Sequence, residues 1–246
     1  MVPPSFDARV VSARALSPNV REVTFARADG ASFEFEPGQW VSLLLPGEGG
    51  EIRRAYSIAS APRRDASFEI AVTRVDAGVG SARLHALGPG DIVRVIGPQG
   101  FFTRPMRGGA PALFVGTGTG VAPLRSMIHA ALAAEDPALV WLLFGAREEA
   151  DLLYRDELAE LAERSPQLRV EETLSRGSED WTGRRGYVQA HARALYEELA
   201  TRSAERGQGV PHVYACGLER MVGAVRALFR KEVGLGRELV HTERYD

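Results

Sequence analysis

The chain has 246 residues, 45% hydrophobic and 25% charged, values at the globular average that exclude a disordered or collagen-like polymer and suffice for two ordinary domains or one large barrel. Thirty basic against 32 acidic side chains leave a net charge of −2, too little for electrostatic binding along a nucleic acid. A single cysteine, Cys216, excludes an intrachain disulfide, a thiolate zinc site and a built-in iron–sulfur cluster, and the five histidines lie far apart, so no metal is expected.

The amino terminus, MVPPSFDARV, has no basic stretch followed by an apolar run. The longest unbroken apolar segment, residues 138–144, is far too short to span a bilayer. A cytoplasmic enzyme or binding protein without membrane insertion is expected.

Between residues 8 and 97 the runs ARVVSARAL, VREVTFAR, WVSLLL, RAYSIAS, SFEIAVTRV and DIVRVIG alternate with turn formers such as Ser17-Pro18-Asn19, Asp29-Gly30, Pro37-Gly38 and Gly88-Pro89-Gly90. Six such runs predict a small antiparallel barrel, with one helix over Ser81–Leu87. After about residue 105 the period changes. PALFVG leads into VAPLRSMIHAALAA, ALVWLLFG into ADLLYRDELAELAER, QLRVEETL into GYVQAHARALYEELA, and HVYACG into LERMVGAVRALFRKEV, before a last run, ELVHTERYD. This β-α repeat with a final strand predicts a five-stranded parallel sheet covered by helices with right-handed crossovers. The Pro- and Gly-rich junction RPMRGGAP puts the domain boundary between residues 1–104 and 105–246.

Two strings carry chemistry. Leu113 to Pro123 is an apolar strand running into Gly116-Thr117-Gly118-Thr119-Gly120 and opening a helix. Glycines let backbone amides approach a pyrophosphate, and a helix amino terminus adds partial positive charge there. Pro123 suits the first helical turn, where its missing N–H costs nothing. The G-x-G-x-G spacing differs from the usual G-x-G-x-x-G, and the absence of a following Gly-Lys-Ser/Thr excludes a Walker loop. The same string also reads as a turn for tight strand-to-helix packing. The second string is Arg54-Ala55-Tyr56-Ser57-Ile58-Ala59-Ser60, whose alternation puts Arg54, Tyr56, Ile58 and Ser60 on one face and Ser57 opposite. A charge, a flat ring and two hydroxyls suit a ligand with phosphates and a planar ring system, and equally an ordinary half-buried strand.

The pattern Arg54-x-Tyr56-Ser57-x-x-Ser60, with Pro37-Gly38-Gln39-Trp40 before it and Gly97-Pro98-Gln99-Gly100-Phe101-Phe102 after it, resembles the flavin-binding domain of the plant-type ferredoxin–NADP reductase superfamily. Gly116 to Pro123, Phe144-Gly145-Ala146-Arg147, Ser175-Arg176 and Ala215-Cys216-Gly217 resemble its nicotinamide-nucleotide domain. The ending His241-Thr242-Glu243-Arg244-Tyr245-Asp246 is similar to that of bacterial ferredoxin or flavodoxin reductases, with Asp246 as an extra residue.

The resemblance implies a Greek-key FAD barrel followed by a Rossmann-like NAD(P) domain. It implies that Arg54, beside Ala55, pairs with the FAD pyrophosphate, that Tyr56 packs on the flavin, and that Ser57 hydrogen-bonds near flavin N5. Gly78, Gly80 and Ser81 resemble a second phosphate contact, while Phe101 or Phe102 lies against the adenine or in the core. Thr117, Gly118 and Thr119 are expected at the nicotinamide-nucleotide pyrophosphate, with Cys216 beside the hydride-bearing carbon. Arg147, Ser175, Arg176 and Arg184 are expected around the 2′-phosphate of NADP(H). Glu171 and Glu172 keep NAD(H) open, as does the similarity of Trp181 to Val188 to NADH-using oxygenase reductases. Tyr245 is expected to stack on the flavin, and Glu243 to order or protonate groups beside Ser57 and Cys216.

These residues imply an FAD-dependent ferredoxin or flavodoxin–NADP(+) reductase acting as a monomer, with Arg53, Arg54, Arg63 and Arg64 as a candidate surface for an acidic carrier. The alternatives are an NADH-dependent oxygenase reductase or flavin reductase, a non-catalytic electron-transfer subunit and a nucleotide-sensing module.

Overall fold

A computed structural model of the chain describes residues 3 to 245 apart from 48, 64, 66 and 77. In the first half, alternating strands curl around one apolar centre. They are β1 (Ser5–Ser17), β2 (Val20–Arg27), β3 (Trp40–Gly47), β4 (Gly50–Ser57), β5 (Ser67–Thr73) and β6 (Ile92–Gln99), antiparallel in the order β4-β3-β6-β1-β2-β5. Along β1, Phe6, Ala8 and Val10 are buried while Ser5, Asp7 and Arg9 face solvent, the period of two that a half-buried strand requires. A bridge between Ile58 and Ile70 draws the two outer strands together. The closed barrel packs Phe25, Leu43, Ile58, Phe68 and Leu84 without exposure.

Two expectations for this half need correction. The helix α1 (Val79–Ala86) begins two residues before Ser81, because the Ser81 hydroxyl accepts the Val75 N–H (3.1 Å) and donates to the Gly78 carbonyl (3.0 Å), closing the first turn earlier. The face shared by Arg54, Tyr56, Ile58 and Ser60 also does not persist, since β4 ends at Ser57. There the chain crosses the barrel, with the Ile58 amide on the Gln39 carbonyl (2.9 Å) and the Ala59 amide on the Glu69 carbonyl (2.7 Å), so Ile58 and Ser60 are buried while Arg54 stays exposed.

The second half contains β7 (Ala112–Thr117), α2 (Val121–Ala133), β8 (Val140–Ala146), α3 (Arg155–Arg164), β9 (Leu168–Leu174), β10 (Arg184–Arg185), α4 (Gln189–Glu205), β11 (His212–Leu218), α5 (Glu219–Ala227) and β12 (Val240–Tyr245). Its strands are parallel, in the order β10-β9-β8-β7-β11-β12. The sheet has six strands where five were expected. The additional one, β10, is only Arg184–Arg185 against Thr173–Leu174, too short and polar to leave an apolar period. The inner strands read as unbroken apolar runs because both faces are covered, Phe114, Leu142 and Phe144 on one side and Leu113, Trp141 and Leu143 on the other.

Chain order reverses between β7 and β11, and at such a switch point the loops diverge and leave a crevice beyond the strands' carboxyl ends. The barrel covers this end of the sheet. Val20, Ala59 and Ala71 of the barrel share one apolar cluster with Phe102, Phe114, Leu124 and Met127. Among the described residues no helix is long and apolar enough to cross a membrane.

Candidate active site at the switch point

Parallel pairing of β11 and β12 sets Cys216 beside Glu243 and Leu218 beside Tyr245, and alternation puts Glu243 and Tyr245 on one face. That face meets the end of β4. The Tyr245 hydroxyl donates to Ser57 Oγ (2.6 Å), and Ser57 donates to Glu243 Oε1 (2.9 Å). Cys216 lies next to this group, paired across the sheet with Glu243. All four residues predicted to act in catalysis therefore converge, one from the barrel and three from the parallel sheet.

Their charge states follow from burial. Burial pushes the Cys216 thiol well above its ordinary value, and the Glu243 carboxyl pushes it further, so the sulfur stays a neutral thiol. Burial likewise raises the Tyr245 phenol. It raises the Glu243 carboxyl to about 7 against the opposing hydrogen bond from Ser57. Glu243 is thus the group poised to gain or lose a proton near neutrality.

On the barrel side, the Arg54 guanidinium is exposed and bonds only the Arg53 carbonyl (2.9 Å), with no carboxylate partner among the described residues. Its stem lies over Gly80, where a Cβ would sit 3.1 Å from Arg54 Cγ. The amino terminus of α1 has no side-chain cap at Gly78, so its first-turn amides stand open beside that cation. The Ser81 hydroxyl is committed inside the loop, which leaves its amide as the available group. Next to these, Tyr56 is half-buried; burial raises its phenol to about 12 against the Arg54 charge, keeping it neutral, and Ala55 is exposed. An unpaired cation, an open helix terminus and a half-open aromatic ring fit the phosphates and planar rings of FAD. Phe102 is core, edge-on to Tyr214 (5.8 Å), whereas Phe101 is fully exposed.

On the sheet side, the turn Gly118–Gly120 carries β7 into α2. A Cβ on Gly120 would collide with the Cys216 carbonyl, so only glycine lets the turn lie flat on β11. The Thr117 hydroxyl is buried and has no partner among the described residues, an unsatisfied donor at the crevice. Thr119 reaches the barrel, its hydroxyl 3.4 Å from that of Thr73.

The residues expected around a 2′-phosphate divide into two groups. Backbone bonds from Ser175 to Ala146 (3.1 Å) and from Arg176 to Arg147 (2.8 Å) hold Arg147, Ser175 and Arg176 together at the ends of β8 and β9. Both guanidiniums there are exposed and lack carboxylate partners among the described residues. Arg184 is instead drawn to Glu171 (2.8 Å), which also pairs with Arg169 (2.7 Å). Glu172 pairs with Arg155 (3.2 Å). Of the arginines expected to face a carrier, Arg53 is bonded to Ser42 and Gln99, and Arg63 to Glu69, while Arg64 lies outside the described residues, as does Asp246.

Sequence reasoning missed Arg125, a buried residue of α2 that bonds both halves of the molecule. Its signal was available: one arginine inside VAPLRSMIHAALAA, a segment otherwise apolar or small along the face that packs inward.

Residues 7–103 match the oxidoreductase FAD-binding domain family and residues 114–227 the oxidoreductase NAD-binding domain family. The chain is 58% identical over 241 residues to ferredoxin–NADP reductase B of Sorangium cellulosum, with 98% of each chain covered. It is 33% identical over 194 residues to DmpP, the reductase component of a Pseudomonas phenol 2-monooxygenase, covering 77% of this chain and 52% of that one. It superposes on the crystal structure of the Amycolatopsis reductase GcoB with a TM-score of 0.81 at 31% identity, over 98% of this chain and 70% of that one. A flavin barrel docked on a nicotinamide-nucleotide sheet is the build of a flavin-dependent NAD(P)H oxidoreductase. Within that class, the chain belongs to the plant-type ferredoxin–NADP reductase superfamily.

Proposed function

We propose that the protein is a ferredoxin or flavodoxin–NADP(+) reductase, moving a hydride between NADP(H) and its flavin and single electrons to or from a carrier protein. One contrast at the carboxyl edge of the sheet carries the choice of NADP(H). Among the described residues Arg147 and Arg176 have no carboxylate partner, whereas Glu171 and Glu172, which would otherwise take a ribose diol, are held by arginines. Guanidinium forks match the oxygens of a 2′-phosphate, and Ser175 between them adds a hydroxyl. The name of the Sorangium relative, which this chain covers almost fully, supports ferredoxin as the partner.

Bound FAD supplies the redox chemistry, taking two electrons with a hydride and exchanging them one at a time. The chain supplies placement. Residues 1–104 would hold the flavin nucleotide, with Arg54 and the amides of Gly80 and Ser81 on the phosphates, Gly78 shaping the turn through its own amide bond to the Val75 carbonyl (3.0 Å), and Tyr56 with Ala55 along the ring. Residues 105–246 would hold the nicotinamide nucleotide, with Thr117, Gly118 and Thr119 at its pyrophosphate. Cys216 gives a neutral, apolar wall, Tyr245 covers the ring site until the nicotinamide arrives, and Ser57 with Glu243 holds or releases a proton at the hydroxyl and carboxyl oxygens.

Anaerobic titration of the purified yellow protein tests this reading. NADPH is expected to bleach the flavin at a concentration at least about tenfold below that of NADH, the effect of about one or two charge-assisted hydrogen bonds. Equal responses would favour an NADH-using oxygenase reductase, and a colourless protein would overturn the flavin assignment.

A further inference from the structure

Arg125 makes four hydrogen bonds, and they tie three elements together. Nη1 donates to the Ala59 carbonyl (2.9 Å) and to Glu69 Oε2 (2.8 Å), both in the barrel. Nε and Nη2 grip both oxygens of Glu157 on α3 (2.7 and 2.8 Å). The guanidinium also lies 4.3 Å from the centre of the Tyr154 ring, and the neighbouring Ser126 hydroxyl donates to the Ser60 carbonyl (2.6 Å). His129 shares Glu157 Oε1 with Arg125 Nε, and Arg63 bonds the other oxygen of Glu69.

A buried ion network of this kind adds little net stability over apolar packing of the same volume; its best-attested use is to fix one register among several. The register fixed here is informative. Arg125 sits five residues along α2 from Gly120, about 7 Å at the rise of an α-helix, and Ala59 is two residues beyond Ser57. The clamp therefore joins the helix that begins at the nicotinamide-nucleotide turn to the segment that continues from the flavin strand. We propose that Arg125, supported by Ser126, is a positioning residue that sets the separation of the two ring sites. This inference rests on the function proposed above, because hydride transfer requires reacting atoms at roughly 3–3.5 Å, and a displacement of about 1 Å costs up to about a hundredfold in rate.

The test uses the FAD-loaded enzyme and two variants. Arg125→Lys keeps the charge but cannot grip Glu157 with two donors while reaching Ala59, and Ser126→Ala removes one hydroxyl. Stopped-flow reduction at saturating NADPH is expected to slow about tenfold in Arg125→Lys and about threefold in Ser126→Ala, with the NADPH dissociation constant within about twofold of wild type. Before any nucleotide is added, amides of residues 58–61 and 117–122 are expected to exchange at least about threefold faster in Arg125→Lys, with β1 and β2 unchanged. Unchanged reduction and exchange in both variants would overturn the proposal, as would a loss cured by more NADPH, which would make Arg125 part of the nucleotide site. Should Arg125→Lys fail to fold, the Ser126→Ala rate decides alone, a decrease supporting the proposal and wild-type behaviour overturning it. A wild-type flavin that neither nucleotide reduces would defeat the proposed function, and this inference with it.

Discussion

Glu243 binds its proton more tightly in the folded protein than in the unfolded chain, since burial lifts its carboxyl from 4.5 to about 7 despite the Ser57 hydrogen bond. Between those values the folded state carries the extra proton, so raising the pH across that window lowers stability. The contribution is fully present below about 4.5 and is lost as the pH passes about 7. Unfolding measured at about pH 5 and about pH 8 should show the wild type losing roughly 1–3 kcal/mol relative to Glu243→Gln, whose amide has no proton to release. Equal pH dependence in the two proteins would remove Glu243 as the titrating group. Glu157 shows the opposite behaviour. Burial pushes its carboxyl up, but hydrogen bonds from His129 and Arg125 outweigh this and hold it at about 2, so its contribution is full above about 4.5 and is lost progressively as the pH falls towards about 2.

The turn from β7 into α2 shows how an element can depend on one missing atom. Because a Cβ on Gly120 would strike the Cys216 carbonyl, Gly120→Ala must lift the turn off β11. The expected result is a loss of about 1–3 kcal/mol of stability and a large drop in flavin reduction by NADPH, with the FAD content unchanged because Arg54, Tyr56 and the amides of α1 lie on the barrel. Thermal unfolding and the flavin spectrum check both parts. The glycines themselves were legible in the sequence, as were the six barrel strands and five of the six parallel ones, because each left a period of two or an unbroken apolar run between turn formers. What escaped had no such period. The strand β10 is two arginines long, and Arg184 looked available for a phosphate because nothing in its neighbourhood along the chain announces Glu171 as its partner. The four site residues were named through family resemblance, but the bonds among Ser57, Glu243 and Tyr245 join residues up to 188 positions apart and belong to tertiary structure.

At the scale of the molecule, barrel and sheet share an apolar cluster as well as the Arg125 clamp, so the usual expectation of free domain motion does not hold. On the function proposed above, access for the nicotinamide is expected to come from displacement of Tyr245, not from a hinge. X-ray scattering is expected to give a radius of gyration of about 18 Å, changing by less than about 1 Å when NADP(+) is added. A larger contraction would reveal domain closure and refute this account. The order of the chain has one more effect. Ser57 is synthesised 186 residues before Glu243, an interval of about 10–40 s at ordinary translation rates. On the function proposed above, a nascent barrel that has already captured its yellow ligand would spend that time without the carboxylate and phenol expected to cover it later.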